Sequence, residues 1–305
     1  LVDAANANVW RYRVEAFDFP QNWRPLFIRN SQIEFAWGPL GGGPARHTAA
    51  IEIVIAAGPG GSGSVWIDRI SFQDTTYRLT PVVQASSMLP GHEPHNAIAV
   101  ANPETWRSEV SDTPQWLLID FQAEREYGGL VITWEKDFQA QQFDVQVSDD
   151  AAVWNTVYAT GQGAAGRSYI FLPQTTSRYI KLNLCRSAAG RGFGIQGIEV
   201  KPFDFSRTIN HFFQNIAHEH PAGLYPKYLL GKQTYWTPVG TGQGDGQALF
   251  NEEGMVEVDK GSFSIEPFLH AGGRLITWAD ATLEQNLAQN YLPIPSSIWQ
   301  TEKLR

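Results

Sequence analysis

The amino-acid sequence predicts a mainly β protein built from sandwiches, and three observations support this class. Short segments alternate apolar and polar residues, as residues 9–14 do, and such alternation is typical of half-buried strands. The 28 glycines and 18 prolines supply turns at the density that an all-β chain needs. Hydrophobic residues make up 43% of the chain and charged residues only 18%, which indicates folded domains rather than disorder.

Charge and cysteine content narrow the classes of function. The chain has 23 basic and 31 acidic residues, a net charge of −8, and no basic cluster. Because nucleic acids and anionic membranes attract Lys- and Arg-rich faces, we expect neither as a partner. No apolar run approaches the ~18 residues that a membrane span needs. The single cysteine, Cys185, lies among apolar residues, which predicts a buried side chain rather than a reactive thiol.

Residues 1–78 form the first predicted domain. Strands are expected in four segments, residues 9–14, 33–37, 51–57 and 64–72. A stretch this short cannot easily bury two sheets by itself. It resembles the closing half of a jelly-roll carbohydrate-binding module. In that resemblance, Asp68 in the last segment corresponds to the aspartate that binds a structural calcium ion.

Residues 79–203 carry the most specific pattern. Short alternating or apolar segments follow one another, most of them separated by turn residues: 96–98, 115–121, 130–134, 143–150, 153–157, 177–182 and 194–200. In this order and spacing they resemble the discoidin, or coagulation-factor type C, domain, a galactose-binding-like β-sandwich that many glycan-binding modules use. The resemblance implies that ligands bind in loops at one end of the sandwich, and that Trp116 and Trp154 lie in the core.

Two positions depart from the calcium-binding pattern of that family. After Asn-Ala-Ile the family often has an aspartate, and here the residue is Ala99. A glutamate often precedes the Ile-Glu-Val of the last strand, and here it is Gly197. Because calcium prefers several hard oxygen ligands at once, we expect calcium binding by this domain to be weak or absent. We expect no other cofactor.

The candidate ligand contacts lie in the loops that the resemblance places at the binding end. A sugar site needs a flat aromatic side chain and polar groups that bridge adjacent hydroxyls. Arg107 stands where the family has tryptophan, and Trp106 precedes it, so either Trp106 is exposed for stacking or the loop is shifted and Trp106 fills the core. The full candidate set is His92, His95, Trp106, Arg107, Arg186, Arg191 and Phe193.

Residues 204–305 are predicted to begin with an amphipathic helix over residues 206–217, with Ser206 as its N-cap. Strands and turns follow. They resemble the opening of the β-supersandwich that precedes the helical toroid in large bacterial glycosidases of the six-hairpin type. The resemblance implies a partial supersandwich here and a catalytic domain beyond Arg305. We therefore interpret the sequence as a piece of a longer polypeptide.

Two functions of different class remain open. The first is the non-catalytic, glycan-binding N-terminal region of a large bacterial carbohydrate-active protein, extracellular or periplasmic, whose parent chain is a glycoside hydrolase. The second is a protein-interaction or adhesion module of a cell-surface protein. Glycoside hydrolysis needs two carboxylates ~5–9.5 Å apart across a cleft. Sequence spacing does not place the acids between residues 252 and 266 opposite one another, so we expect no catalysis by this chain.

Overall fold

The computed structural model describes residues 1–15, 17–56, 63–72, 79–98, 104–240, 242, 244–259 and 261–301. Antiparallel sheets make up most of its regular structure, so the predicted mainly β class is confirmed. The chain divides into two compact units, Leu1–Arg78 and Leu79–Arg305.

The first unit is built around one pair of strands. β1 (Val9–Arg11) pairs antiparallel with β2 (Glu34–Trp37), and a 3-10 turn, Asn30–Gln32, precedes β2. Trp10 is 3% exposed, lies 5.7 Å from the Phe35 ring in an edge-to-face contact, and donates a hydrogen bond from Nε1 to the Gly43 carbonyl at 2.7 Å. This buried indole with its satisfied N–H holds the small unit together.

The strands predicted at residues 51–57 and 64–72 are not formed where the structure describes them. Residues 51–56 and 63–72 contain no strand, while residue 57 lies outside the described residues. Val54 is 81% exposed and Trp66 is 72% exposed. A strand needs a neighbour for its backbone N–H and C=O groups, and among the described residues from 50 to 72 only Ala50 makes a bridge, to Val2. The half jelly roll remains a prediction for residues 1–78.

A two-layer sandwich opens the second unit. Its strands are β3 (Val82–Ala85), β4 (Trp106–Arg107), β5 (Gln115–Trp134), β6 (Ala140–Ser148), β7 (Asn155–Thr160), β8 (Arg167–Ser187) and β9 (Gly194–Lys201). A 3-10 turn, Pro94–Ala97, lies between β3 and β4. The strand order is β4-β9-β5-β8-β6-β7, with β3 also paired to β5.

Two long, bent strands create the two layers. The first half of β5 pairs with β3, and its second half pairs with β9. Its register against β8 shifts between Asp120 and Arg125, next to Gln122, which has a φ of 62°. Such irregularities bend a strand. β5 therefore crosses from one layer to the other, and both of its ends return to the same end of the sandwich.

The core fills the space between the layers. Alternate residues of each strand point inward, as Leu117, Ile119 and Phe121 do in β5. Trp106, Tyr127 and Phe143 are the largest fully buried side chains. Tyr127 satisfies its hydroxyl through a 2.7 Å hydrogen bond with Ser177 Oγ, which avoids the cost of a buried unpaired polar group.

Trp116 and Trp154 are not in the core, contrary to the prediction. Trp116 precedes inward-facing Leu117 and so points to the outer face, where it is partly exposed. Trp154 precedes β7 and is also partly exposed. Its ring packs edge-on against Tyr179, and Lys181 Nζ lies 4.1 Å from the ring centroid. These two indoles cover the outer surface of one layer.

The outer face of the other layer is covered by the helix α1 (Ile209–His218) and the 3-10 turn Phe203–Ser206. Phe212 and Ile216 of the helix and Phe205 of the turn bury Val131 completely. The predicted N-cap was wrong: Thr208 is the N-cap, and its side chain accepts a hydrogen bond from His211 N. Ser206 cannot cap the helix because it still belongs to the 3-10 turn.

Glu219, directly after α1, fastens the end of the helix to the sheet. Its carboxylate accepts hydrogen bonds from Arg167 at 2.9 Å and Tyr169 at 3.0 Å, both on β8, and from Lys201 of β9 at 3.0 Å. These contacts lower the pKa of Glu219, although burial alone would raise it. The helix is therefore docked on the sandwich and is not a free linker.

Shorter sheets complete the second unit. β10 (Trp236–Gly240), β11 (Gln247–Asn251), β12 (Val256–Glu257) and β13 (Ser264–Ile265) form one sheet. β14 (Leu269–Ala271) pairs with β15 (Arg274–Ile276), and β16 (Thr282–Ala288) pairs with β17 (Leu292–Gln300). 3-10 turns lie at Lys227–Leu230 and Trp278–Asp280. The resemblance of this region to a β-supersandwich remains a prediction.

A buried ion cluster lies within this last region. Lys227 Nζ contacts Glu252 Oε1 at 3.1 Å and also pairs with Glu253, which is 1% exposed. The same ammonium group lies 5.4 Å from the centroid of the Trp278 ring. Burial raises the pKa of Glu253 in spite of the lysine, because the ionised carboxylate has little access to water.

Candidate functional site

Three connecting segments meet at one end of the sandwich. Arg107 of β4 lies opposite Gly194 of β9 in the strand register. Gly194 N donates a 2.9 Å hydrogen bond to Phe138 O, and Ser108 N donates a 2.9 Å hydrogen bond to Phe193 O. Residues 104–108, 135–139 and 188–194 are thus joined through their backbones.

An arginine–glutamate pair stands where these segments meet. Arg107 Nε donates to Glu135 Oε2 at 2.7 Å, and Arg107 Nη2 also donates to Glu135 Oε1. The guanidinium lies over the Phe138 ring, 4.5 Å from its centroid. Thr105 Oγ1 donates to Glu135 Oε2 at 3.0 Å. We call Arg107, Glu135, Thr105, Phe138 and His92 the Arg107 cluster.

His92 joins the cluster through Thr105. Its Nδ1 lies 2.9 Å from the Thr105 carbonyl oxygen and 3.3 Å from Thr105 Oγ1. Because a carbonyl oxygen only accepts, Nδ1 carries a hydrogen and donates it to the Thr105 carbonyl. In the neutral tautomer with this hydrogen, the other ring nitrogen, Nε2, is a hydrogen-bond acceptor.

The electrostatics of the pair follow from these contacts. The hydrogen bond from Arg107 lowers the pKa of Glu135, which burial alone would raise, and the hydrogen bond from Thr105 adds to the lowering. The hydrogen bond to Glu135 in turn raises the pKa of Arg107. The two side chains are 29% and 19% exposed, so a solute can still reach them. Both groups are charged at neutral pH and are held in fixed positions.

A glycine allows the segments to approach this closely. A Cβ atom added at Gly194 would lie 2.7 Å from Glu135 Oε2 and 2.8 Å from Phe138 Cβ. Any larger residue would displace the glutamate from the arginine. The cluster therefore depends on Gly194 in β9 as well as on its own side chains.

Trp106 and Phe193, two of the predicted ligand contacts, are buried in the structure and present no exposed face to a ligand. Trp106 is 0% exposed and Phe193 is 4% exposed. Pairing of Trp106 with Ile195 fixes the register of β4, which turns Trp106 into the core and Arg107 outward. The indole Nε1 donates to the Ser87 carbonyl at 3.2 Å. The shifted-loop alternative is the one that the structure adopts.

The other candidates are dispersed over the surface. His95, Arg186 and Arg191 are exposed. Arg186 Nη2 lies 3.4 Å from the Gly161 carbonyl oxygen. Within the described part of the chain, no hydrogen bond or ion pair connects these three side chains with the Arg107 cluster. Of the predicted set, the structure brings together only His92 and Arg107.

Sequence reasoning missed Glu135 and Thr105. Glu135 directly follows the last residue of β5, and Thr105 directly precedes β4. Polar residues at strand ends are one available signal, because loops carry functional residues on a rigid scaffold. Recognising the pair also requires the knowledge that β4 and β5 flank the same strand, β9. The sequence alone does not show that β4 and β5 both pair with β9.

The predicted metal ligand, Asp68, is an exposed residue of the first unit. Its carboxylate lies 3.8 Å from Arg69 Nε. Among the described residues, no group of three or more His, Cys, Asp or Glu side chains is arranged to hold a metal ion. Ala99, one of the two departures from the calcium pattern, lies outside the described residues. Calcium binding by Asp68 remains a prediction.

Comparison with known families assigns the sandwich. Residues 82–195 match the model of the F5/8 type C domain family. This sandwich is an F5/8 type C domain. The predicted resemblance to the discoidin domain is thereby confirmed for residues 82–195, and the match covers well under half of the chain. No curated protein matches the sequence, and no helix in the described ranges has the length and apolar character needed to span a membrane.

Solved structures similar to the F5/8 type C domain include two carbohydrate-binding modules. One is chitosan-binding module 2 from the chitosanase/glucanase of Paenibacillus sp. IK-5, in complex with chitotriose. It is 26% identical, its TM-score is 0.38, and the match covers 41% of this chain and 98% of that one. The other is the family 32 module of C. perfringens NanJ in complex with galactose. It is 15% identical with a TM-score of 0.36, and the match covers 39% and 92% of the two chains.

Proposed function

We propose that the F5/8 type C domain is a glycan-binding module and that the Arg107 cluster is its binding site. The observation that carries this proposal is the bidentate Arg107–Glu135 pair, fixed by Thr105 and Phe138 yet still open to solvent. Adjacent hydroxyls of a sugar ring each donate and accept hydrogen bonds. A site that holds hydrogen-bond donors and acceptors at fixed positions can therefore bind such hydroxyls.

The cluster has hydrogen-bonding capacity left after its internal contacts. Arg107 uses Nε and Nη2 on Glu135, which leaves Nη1 as a donor within the described part of the chain. Glu135 Oε1 accepts from Arg107 and has a second lone pair, and His92 Nε2 is a further acceptor. Hydrogen bonds to charged groups are roughly twice as strong as neutral ones.

The expected affinity is low, because the cluster lacks an open aromatic face. Trp106 and Phe193 are buried, and the guanidinium of Arg107 covers Phe138. Stacking on an aromatic ring therefore contributes little. We expect dissociation constants of ~0.1–1 mM.

The role of the module in a larger protein is part of the same proposal. We infer that it is a non-catalytic region of a bacterial carbohydrate-active protein that works outside the cytoplasm. The resemblances of residues 1–78 and 204–305 to parts of such proteins support this context.

The test is a titration of the whole chain with chitotriose and with galactose, the ligands bound by the two similar modules, followed by a broader glycan panel. Arg107→Lys keeps the charge but loses the planar fork, and it should weaken binding by at least about tenfold, or 1.4 kcal/mol. Arg178→Lys is the matched control, because Arg178 makes an equally bidentate pair with Asp120, at 2.8 and 3.0 Å, elsewhere on the domain. Equal affinity of wild type and Arg107→Lys, or no binding to any glycan, would contradict the proposal.

A further inference from the structure

A groove of about 270 Å³ lies on the same domain, outside the Arg107 cluster, between β6, β7 and the end of β8. Its walls include Gln142, Asp144, Ala159, Thr160, Gly161 and Cys185. None of these residues belongs to the Arg107 cluster.

An irregularity in strand pairing opens the groove. Phe143 is opposite Leu184 and Gln142 is opposite Arg186, so Cys185 has no partner in the register between β6 and β8. An extra residue of this kind bends its strand and separates it from its neighbour. Cys185 is consequently exposed, and the prediction of a buried cysteine was wrong.

The walls offer oriented donors and acceptors. Asn183 Nδ2 donates to Asp144 Oδ1 at 3.0 Å, which orients the carboxylate. Thr160 Oγ1 accepts from Gln162 N at 3.1 Å, so its own hydrogen remains available to donate. The exposed side-chain amide of Gln142 supplies both a hydrogen-bond donor and an acceptor.

The charges around the groove balance. Asp144 contributes a negative charge to its wall, and Arg186, with Nη2 on the Gly161 carbonyl oxygen, contributes a positive charge beside it. The side chain of Ala159 is apolar and adds an apolar surface to the wall. Polar walls around an apolar surface with no net charge match a neutral ring that has hydroxyls at its edge and C–H groups on its face.

We propose that this groove is a second binding site of the domain, which holds one neutral sugar residue. The class of ligand rests on the proposed glycan-binding function, whereas the location rests on the groove itself. Pockets for drug-sized ligands measure ~300–1,000 Å³. The smaller volume here suits a single ring rather than an extended chain.

Cys185 provides a reporter for this site alone, because it is the only cysteine of the chain and lines the groove. Burial, and then the charge of Asp144, raise the pKa of its thiol, so the reaction with a thiol reagent is best followed at alkaline pH. A sugar in the groove blocks the reagent. At a concentration about ten times the dissociation constant, galactose or chitotriose should slow modification about tenfold.

Two variants separate the groove from the Arg107 cluster. Asp144→Asn keeps the shape of the side chain but removes the charge, and it should lower the protection of Cys185 while sugar binding at the Arg107 cluster, followed by NMR, persists. Thr160→Val, which removes the donor, should do the same. Arg107→Lys should leave the protection of Cys185 intact. Glycerol at the same concentration is the control for non-specific effects on the thiol reaction.

The outcomes of these experiments distinguish the groove proposal from the proposed function. Unprotected Cys185 at sugar concentrations that saturate the Arg107 cluster would overturn the groove and leave the proposed function standing. Protection that disappears in Arg107→Lys would also overturn the groove, because the protecting sugar would then belong to the cluster. Protection without any binding at the cluster would support the groove and contradict the cluster as the glycan site. If neither sugar protects Cys185 nor binds at the cluster, both proposals fail for these sugars, and the groove proposal is overturned.

Discussion

Arg107 and Glu135 lie 28 residues apart in the sequence, and their side chains meet through two hydrogen bonds, of which the one from Nε to Oε2 measures 2.7 Å. The contact arises because β4 and β5 flank the same strand, β9. Arg107 ends β4 and Glu135 follows β5, so both side chains reach the same end of the sandwich. The pair is thus a product of strand order.

This pair should make stability depend on pH in acid. The folded pKa of Glu135 is lowered, chiefly by Arg107, so its stabilising contribution is present above the unfolded pKa of ~4.3 and is lost as the pH falls through the folded value. Glu135→Gln should cost about 1–3 kcal/mol at neutral pH and flatten the acid decline, as measured by denaturant unfolding across pH. Glu199→Gln, at a carboxylate that is 51% exposed, should have a smaller effect. An equal loss in both variants would argue against a special role of the pair.

Trp106→Ala should destabilise the domain by ~3–5 kcal/mol, because it removes a fully buried indole. The measurement is the free energy of unfolding in denaturant. Trp154→Ala, at a partly exposed indole of the same domain, should cost clearly less. If Trp106→Ala instead kept its stability and lost glycan binding, the side chain would have to be exposed in solution.

Glu266 should make stability fall as the pH rises towards neutrality. Burial, and then the charge of Glu253, raise its pKa to about 7. A raised folded pKa means that the contribution to stability is complete below the unfolded value of ~4.3 and is lost as the pH rises through about 7. Melting temperatures measured across this window should decline for the wild type and decline less for Glu266→Gln. Identical slopes for the two proteins would show that Glu266 is not the group responsible.

A chelator should leave the melting transition of the F5/8 type C domain unchanged, because Gly197 stands where the family pattern has a carboxylate. Calorimetry of the whole chain with EDTA, and then with excess calcium, measures this. A lower transition temperature that calcium restores would mean that other oxygen ligands complete a site.

The pattern of alternating residues predicted the sandwich well, but it did not predict which individual side chains face the core. Alternation located most strands of the F5/8 type C domain, because burial of one face imposes a period of two. A shift of the strand register by one residue moves each side chain to the opposite face of the sheet, and the register of β4 is why Trp106 is buried and Arg107 points outward. Their register is set by Gly194 and Ile195, some ninety residues further along the chain. The residues next to Trp106 and Arg107 in the sequence do not reveal this pairing.

Residues 51–56 illustrate a second limit. Their apolar side chains match a strand, but strand formation also requires a neighbouring strand, and the described residues of the first unit supply none to them. Glu135 illustrates a third limit. As a charged residue in a loop it is unremarkable in the sequence, and only the arrangement of β4, β9 and β5 gives it a partner.

The docked helix changes where this chain can be shortened. A truncation after residue 203, at the predicted end of the discoidin-like region, would remove Phe205, Phe212 and Ile216 and uncover Val131 on the outer face of the sheet. It would also remove Glu219, whose carboxylate forms ion pairs with both Arg167 and Lys201. A recombinant fragment that ends there would present an apolar sheet surface to solvent and would aggregate. A fragment that retains the helix and Glu219 keeps that surface covered.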